Sequence, residues 1–151
     1  MYEVEKTFSY NDNFLQKIAV LGKLVSEKTF TDKYYDNKDF DLTSKSFWLR
    51  ERAGKWELKI HGSNGGGVGM SREMEDETEI SEMLDLPRIG LTRGLQEESY
   101  IPFCVITSHR KRFAVGDLRV DMDEVTSEDF NYKVGEVEME VATEIEMPEV
   151  Q

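Results

Sequence analysis

Three pairs of carboxylates, each with one residue between its members, are the first feature of this sequence that points to chemistry. The pairs are Glu3 and Glu5, Asp121 and Asp123, and Glu136 and Glu138. Because successive side chains of a β-strand point to opposite faces, residues two apart share a face. Carboxylate oxygens gathered in this way are the ligands that Mg²⁺ prefers, with Mn²⁺ as the alternative ion. The pattern therefore predicts a divalent metal site built from several strands.

A second set of side chains, largely at the same spacing, is cationic. Its members are Arg50, Arg52, Lys59, Arg110 and Arg112. Arginine presents a planar fork of N–H donors that suits bidentate contacts with phosphate. Carboxylates alone would repel phosphate, so the two sets make sense together only if metal ions lie between them. They predict a site for a triphosphate, whose phosphates carry about four negative charges.

Alternation of charged and apolar residues also describes an ordinary antiparallel sheet with one solvated face and one face packed on the core. A solvated face is usually rich in Lys, Thr, Ser and Gln, whereas arginines and carboxylates dominate here. We therefore predict an inside-out arrangement of the α+β class. A closed antiparallel β-barrel would turn its charged faces into a polar lumen, and helices would pack against its apolar outer faces.

The elements that must position these residues follow from the hydrophobic pattern. Period-two alternation predicts strands over residues 2–8, 30–35, 45–52, 55–61, 68–75, 103–113, 118–123 and 134–141. Helical spacing predicts a helix over residues 11–25, capped by Asn11 or Asp12, and a second over residues 77–84. Residues 88–94 are expected to form a loop or short helical turn, Ala53-Gly54 a tight hairpin turn, and residues 62–67 a loop.

Composition limits the class of protein. The 151 residues have the size of one domain, and 38% hydrophobic residues are too many for a disordered chain. A formal net charge of -12 repels nucleic acid and anionic membranes. The sequence has no apolar run long enough to cross a bilayer, and its lone cysteine, Cys104, cannot form an internal disulfide. These features predict a soluble, cytoplasmic monomer that binds neither nucleic acid nor membrane.

Five motifs, in this order, resemble the tunnel-lining motifs of the CYTH superfamily of triphosphate tunnel enzymes, and in particular its thiamine triphosphatases. The motifs are Glu3-Val4-Glu5, Trp48-Leu49-Arg50-Glu51-Arg52, Trp56-Glu57-Leu58-Lys59, Arg119-Val120-Asp121-Met122-Asp123 and Val134-Gly135-Glu136-Val137-Glu138, with a weaker match at Tyr34-Tyr35-Asp36. The likeness runs from residue 2 to about residue 141 and is poor over residues 76–101. The order of the motifs makes the likeness specific.

The resemblance implies an eight-stranded antiparallel tunnel and Mg²⁺-dependent hydrolysis of thiamine triphosphate to thiamine diphosphate and phosphate. It gives the six paired carboxylates metal-binding positions, and Arg50, Arg52, Lys59 and Arg110 phosphate-binding positions, with Arg112 as the rival of Arg110. Trp48 would stack on the thiamine ring, or would be a core residue. Either Glu5 or Glu138 would accept the proton of the attacking water, or a second metal ion would lower its pKa.

Two alternatives to a thiamine triphosphatase remain open. One is a tunnel enzyme that acts on inorganic triphosphate or nucleotides. The other is a protein that binds thiamine triphosphate or polyphosphate without hydrolysing it.

Two departures from the family pattern bear on these alternatives. The family has Lys where this chain has Thr7, and Lys6 is expected on the opposite strand face, so one cation would be missing from the tunnel. The single domain, residues 1–151, is also expected to lack a C-terminal helix and strand that thiamine triphosphatases usually carry. If that strand forms part of the tunnel wall, an open edge would remain.

Overall fold

The computed structural model describes residues 2–63 and 69–141 of the chain. Eight antiparallel strands in this part of the chain form a closed ring, as the sequence and the resemblance predict. The strands are β1 (Tyr2–Ser9), β2 (Lys23–Asp36), β3 (Phe47–Arg52), β4 (Lys55–Ser63), β5 (Gly69–Met74), β6 (Ile101–Val115), β7 (Leu118–Thr126) and β8 (Asn131–Val141). The helices are α1 (Asp12–Leu21), α2 (Glu77–Met83) and α3 (Leu91–Glu97), with a 3₁₀ turn at Thr43–Lys45.

The strand order around the ring is β1-β5-β4-β3-β2-β6-β7-β8, and β8 returns to β1. The closing pair has Glu5 opposite Glu138 and Thr7 opposite Glu136. Since β1 hydrogen-bonds to β5 on its other side, the described strands leave no open edge. The expectation that an edge would stay unpaired is therefore wrong for this part of the chain.

The turn between β3 and β4 shows why the local sequence gives a tight hairpin. Ala53 and Gly54 have φ angles of 51° and 79°. Positive φ at both central residues is the mark of a type I′ turn, whose twist matches that of paired strands. Arg52 stands directly opposite Lys55, which fixes the register that brings Arg50 opposite Glu57.

The first helix is shorter than its hydrophobic pattern predicts. Asn11 caps it by accepting a hydrogen bond from the Phe14 amide at 3.0 Å, as expected. The helix ends at Leu21, however, and β2 begins two residues later. A Cβ on Gly22 would lie 2.8 Å from Val115 Cγ2, so only glycine lets the backbone pass this close to β6. Ladder hydrogen bonds to β6 then override the helical spacing of the residues that follow.

The ends of several other elements also differ from the prediction. The strands predicted over residues 30–35 and 103–113 extend to Lys23–Asp36 and Ile101–Val115, because they pair with each other along almost their whole length. The helix predicted over residues 77–84 is confirmed as Glu77–Met83. The segment 88–94 differs from prediction, since α3 starts at Leu91 and continues to Glu97. Of the loop predicted over residues 62–67, the first two residues belong to β4 and the rest lies outside the described residues.

The apolar core lies outside the ring, in two clusters. The larger one packs beneath α2 and α3 on the outer faces of β3, β4 and β5, and is centred on Leu49, Leu58 and Ile80. The smaller one joins α1 to β6 and β7 through Ile18, Phe113 and Met122. Charged faces are thus left to line the interior. No helix in the described residues is long and apolar enough to cross a membrane.

Candidate active site

The interior of the ring is a tunnel with a cavity of about 610 Å³. Every cation and aromatic residue assigned to substrate from the sequence lines it. These residues are Trp48, Arg50, Arg52, Lys59, Arg110 and Arg112. Period-two geometry explains the arrangement, because the intervening residues of β3 and β4, such as Leu49 and Leu58, point outward into the larger apolar cluster.

Three arginines of the tunnel form bidentate ion pairs with aspartates, called here the arginine–aspartate pairs. The pairs, with their two N···O distances, are Arg52 with Asp32 (2.6 and 2.8 Å), Arg110 with Asp123 (2.8 and 2.8 Å) and Arg112 with Asp121 (2.7 and 2.9 Å). Each arginine stands directly opposite its aspartate on the neighbouring strand. The ladder register therefore fixes the guanidinium groups. Each pair uses two of the five guanidinium N–H groups and leaves others to meet an anion.

Arg50 is held differently, by contacts along one side of the tunnel. Its Nη2 lies 3.0 Å from Glu57 Oε1, and in spite of burial the charges of Glu57, Tyr34 and Asp32 keep the pKa of Arg50 raised. Tyr34 in turn meets Trp48 edge-to-face, with the ring centroids 6.0 Å apart. Trp48 is 38% exposed and lines the cavity, so it is not a core tryptophan.

Glu3, Glu5 and Glu138 form an acidic cluster in which one oxygen from each carboxylate lies within 4.8 Å of the others. All three residues are buried, at 4%, 8% and 5% exposure. Lys59 donates to Glu3 at 3.1 Å and to Glu5 at 3.0 Å, while Arg119 donates to Glu138 at 2.6 Å. Three close oxygens of this kind are a fitting donor set for a hard divalent cation.

The electrostatics of the acidic cluster differ from one residue to the next. Burial raises the pKa of Glu3 to about 7 and that of Glu138 to about 8. Burial is the largest influence on Glu5 and would raise its pKa, but the charge of Lys59 and the hydrogen bonds with Glu3 and Lys59 together outweigh burial, so the pKa of Glu5 is lowered. Burial alone would lower the pKa of Lys59, yet the charges of Glu3 and Glu5 raise it. The cluster therefore has less positive charge around it than its three carboxylates require.

The other three carboxylates predicted as metal ligands lie outside this cluster. Asp121 pairs with Arg112 and Asp123 with Arg110, and the hydrogen bond from Arg112 and the charge of Arg110 help to lower the pKa of Asp121 in spite of its burial. Glu136 lines the tunnel, where burial and the charge of Glu5 raise its pKa to about 7. The structure thus separates the six carboxylates into a candidate metal cluster, two arginine partners and one further lining residue.

Several lining residues were missed in the sequence, although the signal for two of them was present. Asp32 lies between Phe30 and Tyr34 in the same alternation, and all three side chains line the tunnel. His61 continues the face of Glu57 and Lys59, and its Nδ1 lies 3.7 Å from Glu5 Oε1. Extending each same-face series to the end of its strand would have found both residues.

A closed antiparallel tunnel with buried carboxylates and cations on its inner face defines a class of fold and site, and comparison with known proteins gives the family. The CYTH domain model matches residues 1–151, so the chain belongs to the CYTH family. The chain is 32% identical over 170 residues to a human protein named thiamine-triphosphatase, covering 98% of this chain and 72% of that protein. It is 30% identical to the thiamine-triphosphatase of Macaca fascicularis, with 98% and 72% covered.

Solved structures of lower identity share the fold. A Hippeastrum protein, described as a putative adenylyl cyclase with a dominant triphosphatase activity, has a TM-score of 0.63 at 18% identity, covering 92% of this chain and 80% of that one. The PH1819 protein of Pyrococcus horikoshii OT3 has a TM-score of 0.61 at 18% identity, covering 97% and 82%. A chain of the Schizosaccharomyces pombe Mediator head module has a TM-score of 0.60 at 12% identity, covering 97% and 86%. At these identities the likeness concerns the fold alone.

Proposed function

We propose that this chain, as a single tunnel domain, hydrolyses thiamine triphosphate to thiamine diphosphate and phosphate with the help of Mg²⁺. The homologues named thiamine-triphosphatase support a hydrolase that acts on triphosphates. The observation that carries the proposal is the pairing, in one tunnel, of a buried acidic cluster with four side chains suited to phosphate, Arg50, Arg52, Lys59 and Arg110.

The acidic cluster fits a divalent ion on its own chemistry. Three buried carboxylates lie within 4.8 Å of one another, and burial raises the pKa values of Glu3 and Glu138 in spite of the cations beside them, so a divalent ion would stabilise their ionised forms. Mg²⁺ held by Glu3, Glu5 and Glu138 would polarise phosphate oxygens and acidify bound water, and Mn²⁺ would substitute for it. Asp121, Asp123 and Glu136 would support the site from the neighbouring positions.

The cations of the tunnel would bind and orient the polyphosphate. The arginine–aspartate pairs hold the guanidinium groups of Arg52 and Arg110 before substrate arrives, so little reorganisation is needed when charge shifts in the transition state. Lys59 contacts the acidic cluster directly, through Glu3 and Glu5. In the reaction its ammonium group would turn from Glu3 and Glu5 to a phosphate oxygen.

A carboxylate of the cluster is the proposed proton acceptor for the attacking water. Burial raises the pKa of Glu138 to about 8 in the metal-free tunnel, so its carboxylate, once deprotonated, would be the stronger base. Glu5 is the alternative acceptor. Its lowered pKa makes it the weaker base and the better permanent metal ligand.

A non-catalytic binding protein is the second candidate, and one observation favours it. Thr7 faces the same side of β1 as Glu3 and Glu5 but brings no charge, so the tunnel lacks the cation that the family motif provides there. A tunnel that holds a triphosphate without this cation could bind it and fail to cleave it.

Phosphate release from thiamine triphosphate, inorganic triphosphate and ATP distinguishes these functions. We expect the highest kcat/KM with thiamine triphosphate and Mg²⁺, no release in excess EDTA, and recovery when Mg²⁺ or Mn²⁺ is added back. Full activity in EDTA would exclude the metal role of the acidic cluster. Tight binding of all three compounds with no phosphate release would favour the binding protein.

Trp48→Ala tests the choice of substrate, because inorganic triphosphate has no ring for Trp48 to contact. We expect kcat/KM for thiamine triphosphate to fall roughly 5- to 30-fold, the size of a desolvated cation–π contact, and kcat/KM for inorganic triphosphate to change little. Equal losses on both compounds would make Trp48 a structural residue and would remove the support for thiamine.

A further inference from the structure

We propose that Phe30 is a positioning residue that holds the guanidinium groups of Arg52 and Arg110 as a pair for the polyphosphate chain. The inference rests on the proposed function, which assigns these two arginines to phosphate. The Cζ atom of Arg52 lies 3.8 Å from the centroid of the Phe30 ring, and that of Arg110 lies 4.9 Å from the same centroid. One aromatic ring therefore contacts two like-charged groups.

The strand order accounts for this contact. Phe30 lies on β2, which has β3 on one side and β6 on the other. Arg52 comes from β3 and Arg110 from β6, and all three side chains line the tunnel. Phe30 is thus the side chain through which the two neighbouring strands bring their cations together.

The ring adds a restraint that the aspartates cannot supply. A bidentate carboxylate fixes one edge of a guanidinium group in the plane of its N–H donors. Contact with an aromatic face fixes the tilt of that plane, because the negative face of the ring attracts the cation. Arg52 and Arg110 have both restraints, from Asp32 and Phe30 and from Asp123 and Phe30. The N–H groups that remain are then aimed before an anion enters.

Two like charges around one ring also repel each other. Asp32, Asp123 and the electron-rich ring face together offset that repulsion, so both arginines can stay in the tunnel without a bound anion.

A purely structural role for Phe30 does not fit its surroundings. Its side chain is half-buried in the wall of the tunnel and belongs to neither apolar cluster on the outside of the ring. Phe103 provides a matched comparison because it lines the same cavity. Its ring packs edge-to-face with that of Phe40, with the ring centroids 6.2 Å apart.

The test compares Phe30→Leu, Phe30→Tyr and the matched control Phe103→Leu. The probe is inorganic triphosphate, whose dissociation constant and Mg²⁺-dependent hydrolysis are measured for each variant. We expect Phe30→Leu to raise the dissociation constant and KM roughly 5- to 30-fold with a smaller change in kcat. Phe30→Tyr, which keeps an aromatic face, and Phe103→Leu should stay within about twofold of the unmodified chain.

A second variant keeps the test valid if Phe30→Leu does not fold. Trifluorophenylalanine incorporated at position 30 keeps the shape of the ring and weakens its negative face. We expect about a threefold rise in the dissociation constant for inorganic triphosphate from this change. An unchanged value would overturn the inference whatever Phe30→Leu does.

The outcomes separate this inference from the proposed function. If the unmodified chain binds and cleaves triphosphate, and Arg52→Gln weakens binding while the Phe30 variants do not, Phe30 is no positioning residue and the proposed function stands. If the unmodified chain neither binds nor cleaves inorganic triphosphate or thiamine triphosphate, both are overturned. In the double variant Phe30→Leu with Arg52→Gln, losses that simply multiply would show that the two residues act independently, against the inference.

Discussion

The acidic cluster and the arginine–aspartate pairs are both made of buried charges, but their balance differs. In each pair, two hydrogen bonds of 2.6–2.9 Å join one cation to one carboxylate. In the cluster, Lys59 is divided between Glu3 and Glu5, and Glu3 and Glu138 keep raised pKa values. The pairs are electrostatically complete without ligand, and the cluster is not.

Under the proposed function, the acidic cluster would bind the metal ion and the arginine–aspartate pairs would bind phosphate. A buried carboxylate without enough positive charge around it is stabilised by a cation. A guanidinium group already fixed by a carboxylate can receive an anion on its remaining N–H groups without first becoming ordered. Variants that remove one member of either group test this division.

Removing a paired arginine should have the largest effect. We expect Arg110→Gln to lower kcat/KM for triphosphate about 100- to 1,000-fold, the cost of losing a preorganised donor to the transition state. Arg110 is a stronger candidate than Arg112 for the phosphate-binding arginine, because it contacts both Asp121 and Asp123 and also lies over Phe30. Steady-state kinetics with Mg²⁺ and inorganic triphosphate measure the loss.

Arg112→Gln is the matched control, since Arg112 also pairs with an aspartate but reaches toward the acidic cluster, with Nη2 3.6 Å from Glu138. We expect a loss of about tenfold from this variant. A larger loss from Arg112→Gln than from Arg110→Gln would reverse the assignment of the two arginines.

The tunnel carboxyls with raised pKa values, Glu3, Glu136 and Glu138, should make the metal-free protein less stable as the pH rises. The pKa of Glu136, raised by burial and by the charge of Glu5 from 4.5 to about 7, means that the folded state binds this proton more tightly than the unfolded state. Its contribution to stability is therefore full below pH 4.5 and is lost as the pH rises through 7. Glu136→Gln should remove this part of the pH dependence, while that of Glu3 and Glu138 stays, and should stabilise the metal-free protein at pH 8, relative to pH 5, by about 2 to 3 kcal/mol.

Urea denaturation in EDTA at pH 5 and pH 8 measures this difference. The pH dependence that Asp121 contributes has the opposite sign. The hydrogen bond from Arg112 and the charge of Arg110 lower the pKa of Asp121 in spite of its burial. Its contribution is present above 3.8 and is lost as the pH falls. A metal-free protein whose stability is the same at pH 5 and pH 8, with or without Glu136→Gln, would contradict the raised pKa of Glu136.

The sequence predicted which faces would be charged, but not how the charges would be shared. Same-face pairs such as Arg50 and Arg52 follow from the period of two, which holds within any one strand. The partner of Arg52 is Asp32 because β2 lies beside β3, and the partner of Arg110 is Asp123 because β7 lies beside β6. Those partners depend on strand order and register, which alternation within a strand does not encode.

Helix ends were the other limit of sequence reasoning. Leu24 and Val25 continue the apolar spacing of α1, yet both lie in β2 and are about half exposed. Their conformation is set by pairing with β6, some ninety residues later in the chain. A prediction from local spacing cannot weigh hydrogen bonds made at that separation.

The smallest expected effect concerns Thr7, where a cation could be added beside Glu136. Thr7 shares a face of β1 with Glu3 and Glu5 and stands opposite Glu136, whereas Lys6 stands opposite Val137 and faces outward. A lysine at position 7 would bring positive charge toward Glu136 and the incoming phosphate. Because Thr7 is exposed, solvent screens the new charge, and we expect Thr7→Lys to raise kcat/KM only about three- to tenfold. Lys6→Ala is the control and should change kcat/KM by less than about twofold. If Lys6→Ala abolished hydrolysis while Thr7→Lys had no effect, the register of β1 would be shifted by one residue, and the acidic cluster would lose Glu3 and Glu5 from the tunnel face.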